Sequence, residues 1–166
     1  MNRPYVFINI ATSADGKIDT FERKGSAISS KRDKERVDQL RADADAVLVG
    51  GKTLLGELPK LTVKSEALRE TRVKRGVTPN PIKVGVVTSA DIPLDSDFIK
   101  AGPARAVIFT TSRTSISQLE TLRANGVEVF VDAAPRVNLH KMMEMLGELG
   151  VKRLMVEGGG TINFEL

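Results

Sequence analysis

The sequence predicts an α/β fold with a largely parallel central sheet. Two observations carry the prediction. Short β-rich runs alternate with helical stretches from one end of the 166 residues to the other. The helical stretches bring their own start and stop residues, so the alternation is punctuated rather than blurred. An apolar fraction of 41% is enough to fill a core. The length suits one domain, and no repeat, low-complexity tract or domain boundary interrupts it.

Taken in order, Tyr5 to Ile10 reads as the first strand. Ser30, with Asp33 three residues on, caps a helix that continues through Val37, Leu40 and Arg41 to about Ala44. Ala46 to Val49 is a second, buried strand, and Thr53 to Leu55 one short helical turn. Leu58 to Val63, containing Pro59, is an irregular loop. Glu66 to Arg75 is polar and charged, which leaves two readings, a solvated helix or a loose insert. Ile82 to Val87 is the third strand, Asp91 to Leu94 a turn-rich connection, and Ala106 to Phe109 the fourth strand. Ser115 with Gln118 repeats the capping-box pattern ahead of Leu119 and Leu122, and Asn125-Gly126 stops that helix. Val127 to Val131 is the fifth strand. Asn138 caps a helix with Leu139, Met142, Met143, Leu146 and Leu149 on one face, and Gly150 ends it. Val151 to Val156 is the sixth strand. A last helix opens at the glycines that follow and stops at Leu166 without a stop signal, so the sequence is expected to lack part of its C-terminal end.

Composition excludes several classes of function. Without cysteine there are no disulfides, thiolate metal sites or cysteine nucleophiles, which suits a reducing cytoplasm. No apolar run is long enough to span a bilayer. Met1-Asn2-Arg3-Pro4 leads straight into a strand, so no signal peptide is expected. The net charge of +4 is spread out, with small clusters at Lys31-Arg32 and Arg72 to Arg75. It fits an anionic small molecule as well as nucleic acid, but 4% aromatic residues leave few platforms for stacking bases.

The run Glu157-Gly158-Gly159-Gly160-Thr161 is the strongest chemical signal. It joins the apparent strand end at Leu154-Met155-Val156 to the first helical turn at Ile162-Asn163-Phe164. Such a turn exposes main-chain N–H groups to a phosphate; it equally serves as a tight connection. Gly50-Gly51-Lys52-Thr53 looks like the end of a P-loop, but Ala46 stands where that motif needs glycine. What remains is a small-residue turn at a strand's C-terminal end, where open α/β sheets bind ligands. Asp15-Gly16-Lys17 is either a ligand-approaching loop or an exposed turn. Glu157 can accept from a substrate hydroxyl or amine, or cap its own helix. His140, the single histidine, lies early in an amphipathic helix and receives no catalytic role. Met142, Met143 and Met145 read as core filling plus one outward methionine.

Together these segments resemble a known family. Asp15-Gly16-Lys17, Arg41-Ala42, Gly50-x-x-Thr53, Pro59-x-Leu61-Thr62-Val63-Lys64, Pro81-Ile82-Lys83-Val84 and Glu157 to Thr161 occur in the order and spacing of the riboflavin-biosynthesis pyrimidine reductases. The resemblance covers the whole chain. It implies a dihydrofolate-reductase-like three-layer sandwich, NADPH as hydride donor, a homodimer, a phosphorylated small-molecule substrate and further C-terminal strands. It also implies roles. Thr53, Glu57 and Thr88 would border NADPH, and Gly159, Gly160 and Thr161 would take its pyrophosphate. Arg41, Leu61 and Lys64 would line the substrate, the two cations facing its 5′-phosphate, while Glu157 binds its polar groups. Asp15 would belong to the loop flanking the nicotinamide. The departures are Glu57-Leu58-Pro59 in place of an Asp-Asp-Pro or Asn-Asp-Pro pattern, Lys64 in place of arginine, and Val87 where an aspartate is common. They leave a second reading, a reductase of the same fold with another substrate. A nucleic-acid binder, motivated only by the pI near 9.5, is a distant third.

Overall fold

The computed structural model describes residues 3–18 and 29–166; Met1 and Asn2, read above as leading into the first strand, lie outside them. In chain order the elements are β1 (Tyr5–Ile8), α1 (Lys31–Asp43), β2 (Ala46–Gly50), α2 (Gly51–Glu57), α3 (Glu66–Lys74), β3 (Ile82–Val86), α4 (Asp97–Lys100), β4 (Ala106–Thr111), α5 (Ile116–Ala124), β5 (Glu128–Asp132), α6 (Leu139–Glu148), β6 (Arg153–Gly158) and α7 (Gly160–Glu165). The six strands form one sheet in the order β1-β6-β2-β3-β4-β5, and every neighbouring pair is parallel.

The order dictates the layers. From β2 to β5 the chain steps steadily one way, then returns across the sheet to lay β6 between β1 and β2. Right-handed crossovers put the outward helices on one face and the returning helix on the other. The two cores are divided in that way. On the first face, Val47, Val49, Ile108, Val129 and Met155 meet Leu54 of α2, Phe98 of α4 and Leu122 of α5, with Val37 and Leu40 of α1 against them. On the second, Leu48, Val84, Val107, Leu154 and Val156 meet Met142, Met143 and Leu146 of α6 and Ile162 of α7.

The local signals fold as they read. Ser30 Oγ accepts from Asp33 N at 3.2 Å, Ser115 Oγ from Gln118 N at 3.2 Å, and Asn138 Oδ1 from Lys141 N at 3.1 Å. Gln118 does not complete a capping box; its amide donates instead to the Ala90 and Ile92 carbonyls, at 3.0 and 3.2 Å.

In three segments the structure decides what the sequence left short, open or unmarked. The single turn expected at 53–55 is the two-turn α2, ended by Leu58 at φ +47°. It seats close to the sheet because Gly85 lies beneath it, where a Cβ would come 2.6 Å from Leu54 Cδ2. The charged stretch after residue 65 is a helix rather than a loose insert. Arg72, 4% exposed, anchors it by donating to the Ala42 and Ala44 carbonyls at the C-terminal end of α1 at 2.8 and 2.7 Å. α4 had no sequence signal strong enough to be expected.

Candidate functional site

β2 and β6 are neighbours, yet the helices that follow them pack on opposite faces, since Leu54 of α2 lies in the first core and Ile162 of α7 in the second. Where successive helices diverge in this way, the C-terminal ends of the strands leave a crevice. Glycines line it. A Cβ on Gly50 would stand 3.1 Å from Ile162 Cβ, one on Gly51 3.1 Å from Val87 Cγ2, and one on Gly159 3.1 Å from Thr53 Oγ1. Side chains at Gly50 and Gly159 would fill the space between the two turns, and one at Gly51 would press on the end of β3. Gly158 holds φ +119° and its bond to Gly159 is cis. Thus Thr53 and Gly159, 106 positions apart, face each other, and Gly160 and Thr161 continue the turn. Glu57 and Thr88 are both exposed, at the far end of α2 and just past β3.

The next residue inward is Glu157. Opposite β2 the register runs Leu48 to Val156 and then Val49 to Gly158, so Glu157 is the extra residue of a bulge. Bulges re-aim side chains, and this carboxylate meets α1. Arg41 donates Nε to Oε1 at 2.6 Å and Nη2 to Oε2 at 2.7 Å, and its Nη1 reaches the Thr62 carbonyl at 3.1 Å. Both side chains are about 15% exposed. Burial acts to lower the Arg41 pKa, but the Glu157 hydrogen bonds and charge outweigh it and hold the guanidinium above its ordinary value.

This pairing changes the expected substrate wall. Arg41 does not stand beside Lys64 as a second free cation, because its charge is answered by Glu157. Lys64 is exposed, without a carboxylate partner among the described residues. Its main chain is fixed, since Asp38 accepts from Lys64 N at 2.7 Å and Ser65 N at 2.8 Å. Leu61 turns its side chain into the first core, 1% exposed at φ +50°, so only its backbone can meet a ligand. Asp15 and Lys17 form an exposed ion pair at 2.6 Å. Hydrogen bonds from Lys17 and then Ser13 hold the Asp15 carboxyl below its usual range. The same loop brings Ile18 Cδ1 to 3.1 Å from the Cβ position of Gly160.

Residues 4–166 match the family model described as the RibD C-terminal domain. The chain belongs to that family. Among relatives of this RibD C-terminal domain, the 2,5-diamino-6-ribosylamino-4(3H)-pyrimidinone 5′-phosphate reductase of Archaeoglobus fulgidus is 44% identical over 96% of the chain and 72% of its own length. The protein of the same name from Methanothermobacter thermautotrophicus is 37% identical over 99% of the chain and 71% of its own. A pyrimidine reductase-like protein from Corynebacterium diphtheriae superposes with a TM-score of 0.80 at 24% identity, covering 95% of this chain and 66% of that one. The fold is therefore the dihydrofolate-reductase-like sandwich that the resemblance implied.

Some residues that shape this RibD C-terminal domain received no structural role from the sequence. Asp38 received no reading from the sequence, yet it fixes the loop carrying Lys64. Lys83, on β3, is fully buried, its Nζ donating to the Ala101 carbonyl at 3.0 Å and lying 5.6 Å from the Phe98 ring centre. Burial lowers its pKa to about 8, against a weaker opposing pull from Asp97. Thr110 and Thr111 end β4 wholly buried; two threonines in a strand of Val, Ile and Phe were the only hint of them.

Proposed function

We propose that this chain is an NADPH-dependent reductase that converts the ribosyl group of 2,5-diamino-6-ribosylamino-4(3H)-pyrimidinone 5′-phosphate to the ribityl form. The observation that carries the reading is the glycine-lined crevice between β2 and β6, with the Arg41–Glu157 pair at its inner wall. The relative at 44% identity bears that reductase's name.

The crevice suits a dinucleotide. Gly50 and Gly159 keep it open to a pyrophosphate, which would lie against the main chain of Gly159 and Gly160 with Thr53 and Thr161 as hydroxyl partners. Glu57 and Thr88 would border the same ligand. When bound, NADPH supplies the hydride that adds to C1′ of the ring-opened sugar. The residues orient the substrate. Glu157 keeps lone pairs for its amine and hydroxyl groups while Arg41 fixes the carboxylate's orientation. Lys64 meets the 5′-phosphate as a point charge, and the Leu61 backbone shapes the loop beside it. The loop of Asp15 closes the nicotinamide side. On the same resemblance the enzyme works as a cytoplasmic homodimer, which sedimentation of the purified chain would check.

The direct test is NADPH oxidation driven by that ribosylaminopyrimidine phosphate. No turnover by a folded preparation that binds NADPH would move the reading to another substrate of a similar reductase, the alternative favoured by Glu57, Leu58 and Lys64. A screen of pterins, folates and sugar phosphates would then follow. Lys64→Ala should weaken substrate binding roughly tenfold and spare NADPH, as loss of one charged contact does. Gly159→Asp should do the reverse, since it places a carboxylate where the pyrophosphate belongs. Equal effects on both ligands in either variant would count against these roles.

A further inference from the structure

The segment between α2 and α3 has no regular structure to hold it. Among the described residues, residues 59–64 make no main-chain to main-chain hydrogen bond, yet Leu61 and Val63 are buried. Buried peptide groups need partners, and side chains from other elements supply them. From α1, Arg41 donates to the Thr62 carbonyl, and Asp38 accepts from Lys64 N and Ser65 N. From α3, Arg69 Nη1 donates to the Val63 and Lys64 carbonyls at 2.9 and 2.6 Å. Of the N–H groups from Val63 to Ser65 that leaves the first, and Val63 N donates to Asn80 Oδ1 at 2.9 Å.

Asn80 lies just before β3 and is 2% exposed. A main-chain N–H can only donate, so the amide oxygen faces Val63 and the amide nitrogen faces away from it. Nδ2 reaches the Pro103 carbonyl at 3.5 Å, in the connection between α4 and β4. That connection is itself fixed. Lys83 Nζ holds the Ala101 carbonyl. Gly102, at φ +67°, passes so close that a Cβ would stand 3.1 Å from Asn80 Nδ2 and 3.2 Å from Thr62 Cγ2. The amide is thus wedged between two loops. Asp38 and Asn80 hold successive N–H groups from different elements, so the peptide joining Val63 to Lys64 is clamped between α1 and the start of β3.

We propose that Asn80 is a positioning residue for the substrate: by holding the Val63 N–H it sets the point from which Lys64 meets the substrate's phosphate. The inference rests on the role given to Lys64 above. A lysine is a point charge on a flexible stem and has no planar fork to impose a geometry. The precision of such a contact comes from the backbone that carries it. Asn80 itself, buried between the loops, has no path to a ligand.

The test is steady-state kinetics with the ribosylaminopyrimidine phosphate, beside NADPH titration and urea midpoints. Asn80→Leu, similar in shape but apolar, leaves Val63 N unpaired. It should raise KM about tenfold and keep kcat and NADPH affinity, as loss of binding shared by ground and transition states does. Asn80→Asp still accepts from Val63 N but turns an oxygen toward the Pro103 carbonyl. It should lower the urea midpoint as the leucine does, yet hold KM near the wild-type value. Asn80→Leu combined with Lys64→Ala should be no worse in KM than Lys64→Ala alone, because Asn80 acts through Lys64. Should Asn80→Leu not fold, Asn80→Ala puts the same question. An unchanged KM in the apolar variants, equal rises in the leucine and aspartate variants, or effects that add to Lys64→Ala would each overturn the proposal. If Lys64→Ala itself leaves KM unchanged, the role of Lys64 falls and this inference with it, while the reductase stands. A folded wild type that binds NADPH but does not turn over the pyrimidine would overturn the substrate reading and the inference together.

Discussion

Glu157 and Arg41 show how a site residue's role depends on what its neighbour leaves free. Each is a charge that the sequence places 116 positions apart; the bulge in β6 and the last turn of α1 bring them into a two-bond pair. The pair consumes one N–H each of Nε and Nη2, Nη1 goes to the Thr62 carbonyl, and the carboxylate keeps lone pairs. Glu157→Gln leaves a half-buried guanidinium facing an amide. Removing one partner of a fully buried pair costs about 3–5 kcal/mol, and partial exposure here brings the expected loss to about 2 kcal/mol. Adding Arg41→Met removes the orphaned charge, so the double variant should unfold at higher urea than Glu157→Gln alone. Urea midpoints of the three proteins decide it; a double variant weaker than the single would mean that the arginine stem, not its charge, matters most.

Among the elements, those with a self-contained signal were legible: capped helices, six apolar strands and the glycine stops. Gly126 and Gly150 end their helices at φ +79° and +86°, and the residues that read as caps do cap. What sequence left ambiguous was decided at long range. α3 has too little apolar surface to declare itself, and it is held by Arg72 filling the end of α1. The loop before it is held by Asp38, a residue of α1 indistinguishable in the sequence from its solvated neighbours. The two turns of the crevice could be recognised singly but not as a pair, because their adjacency depends on β6 entering the sheet beside β2. Asp38→Asn tests the loop anchor. One of the two N–H groups would then face an amide nitrogen, at a cost of about 2 kcal/mol. Substrate affinity should fall more than NADPH affinity, measured by parallel titrations; an equal fall in both would show that the anchor is merely structural.

For the molecule as a whole, Lys83 ties stability to pH. Its folded pKa of about 8 lies below the ordinary 10.5. Between those values the unfolded chain holds more protons, so stability rises with pH across that window. Below pH 8 the burial penalty is present in full, about 3 kcal/mol at most. Lys83→Met, similar in length and uncharged, should therefore be more stable than wild type at pH 7 and lose that advantage by pH 10.5. Denaturant titrations of both proteins at a series of pH values would read the difference directly; a constant difference across the window would show that folding leaves the Lys83 pKa at its ordinary value.

The strand order also sets a timetable. Among the described residues β6 is the last strand but lies next to the first, and β1 has no other partner. As the polypeptide emerges from a ribosome, β2 to β5 can pair while β1 waits for more than a hundred residues to follow it. Sheet closure depends on contacts of the highest sequence separation the fold contains, which are the slow ones. The edge where the turns after β2 and β6 face each other is therefore completed late, and a nascent chain halted before Val151 would own every described helix from α1 to α6 and still lack that crevice.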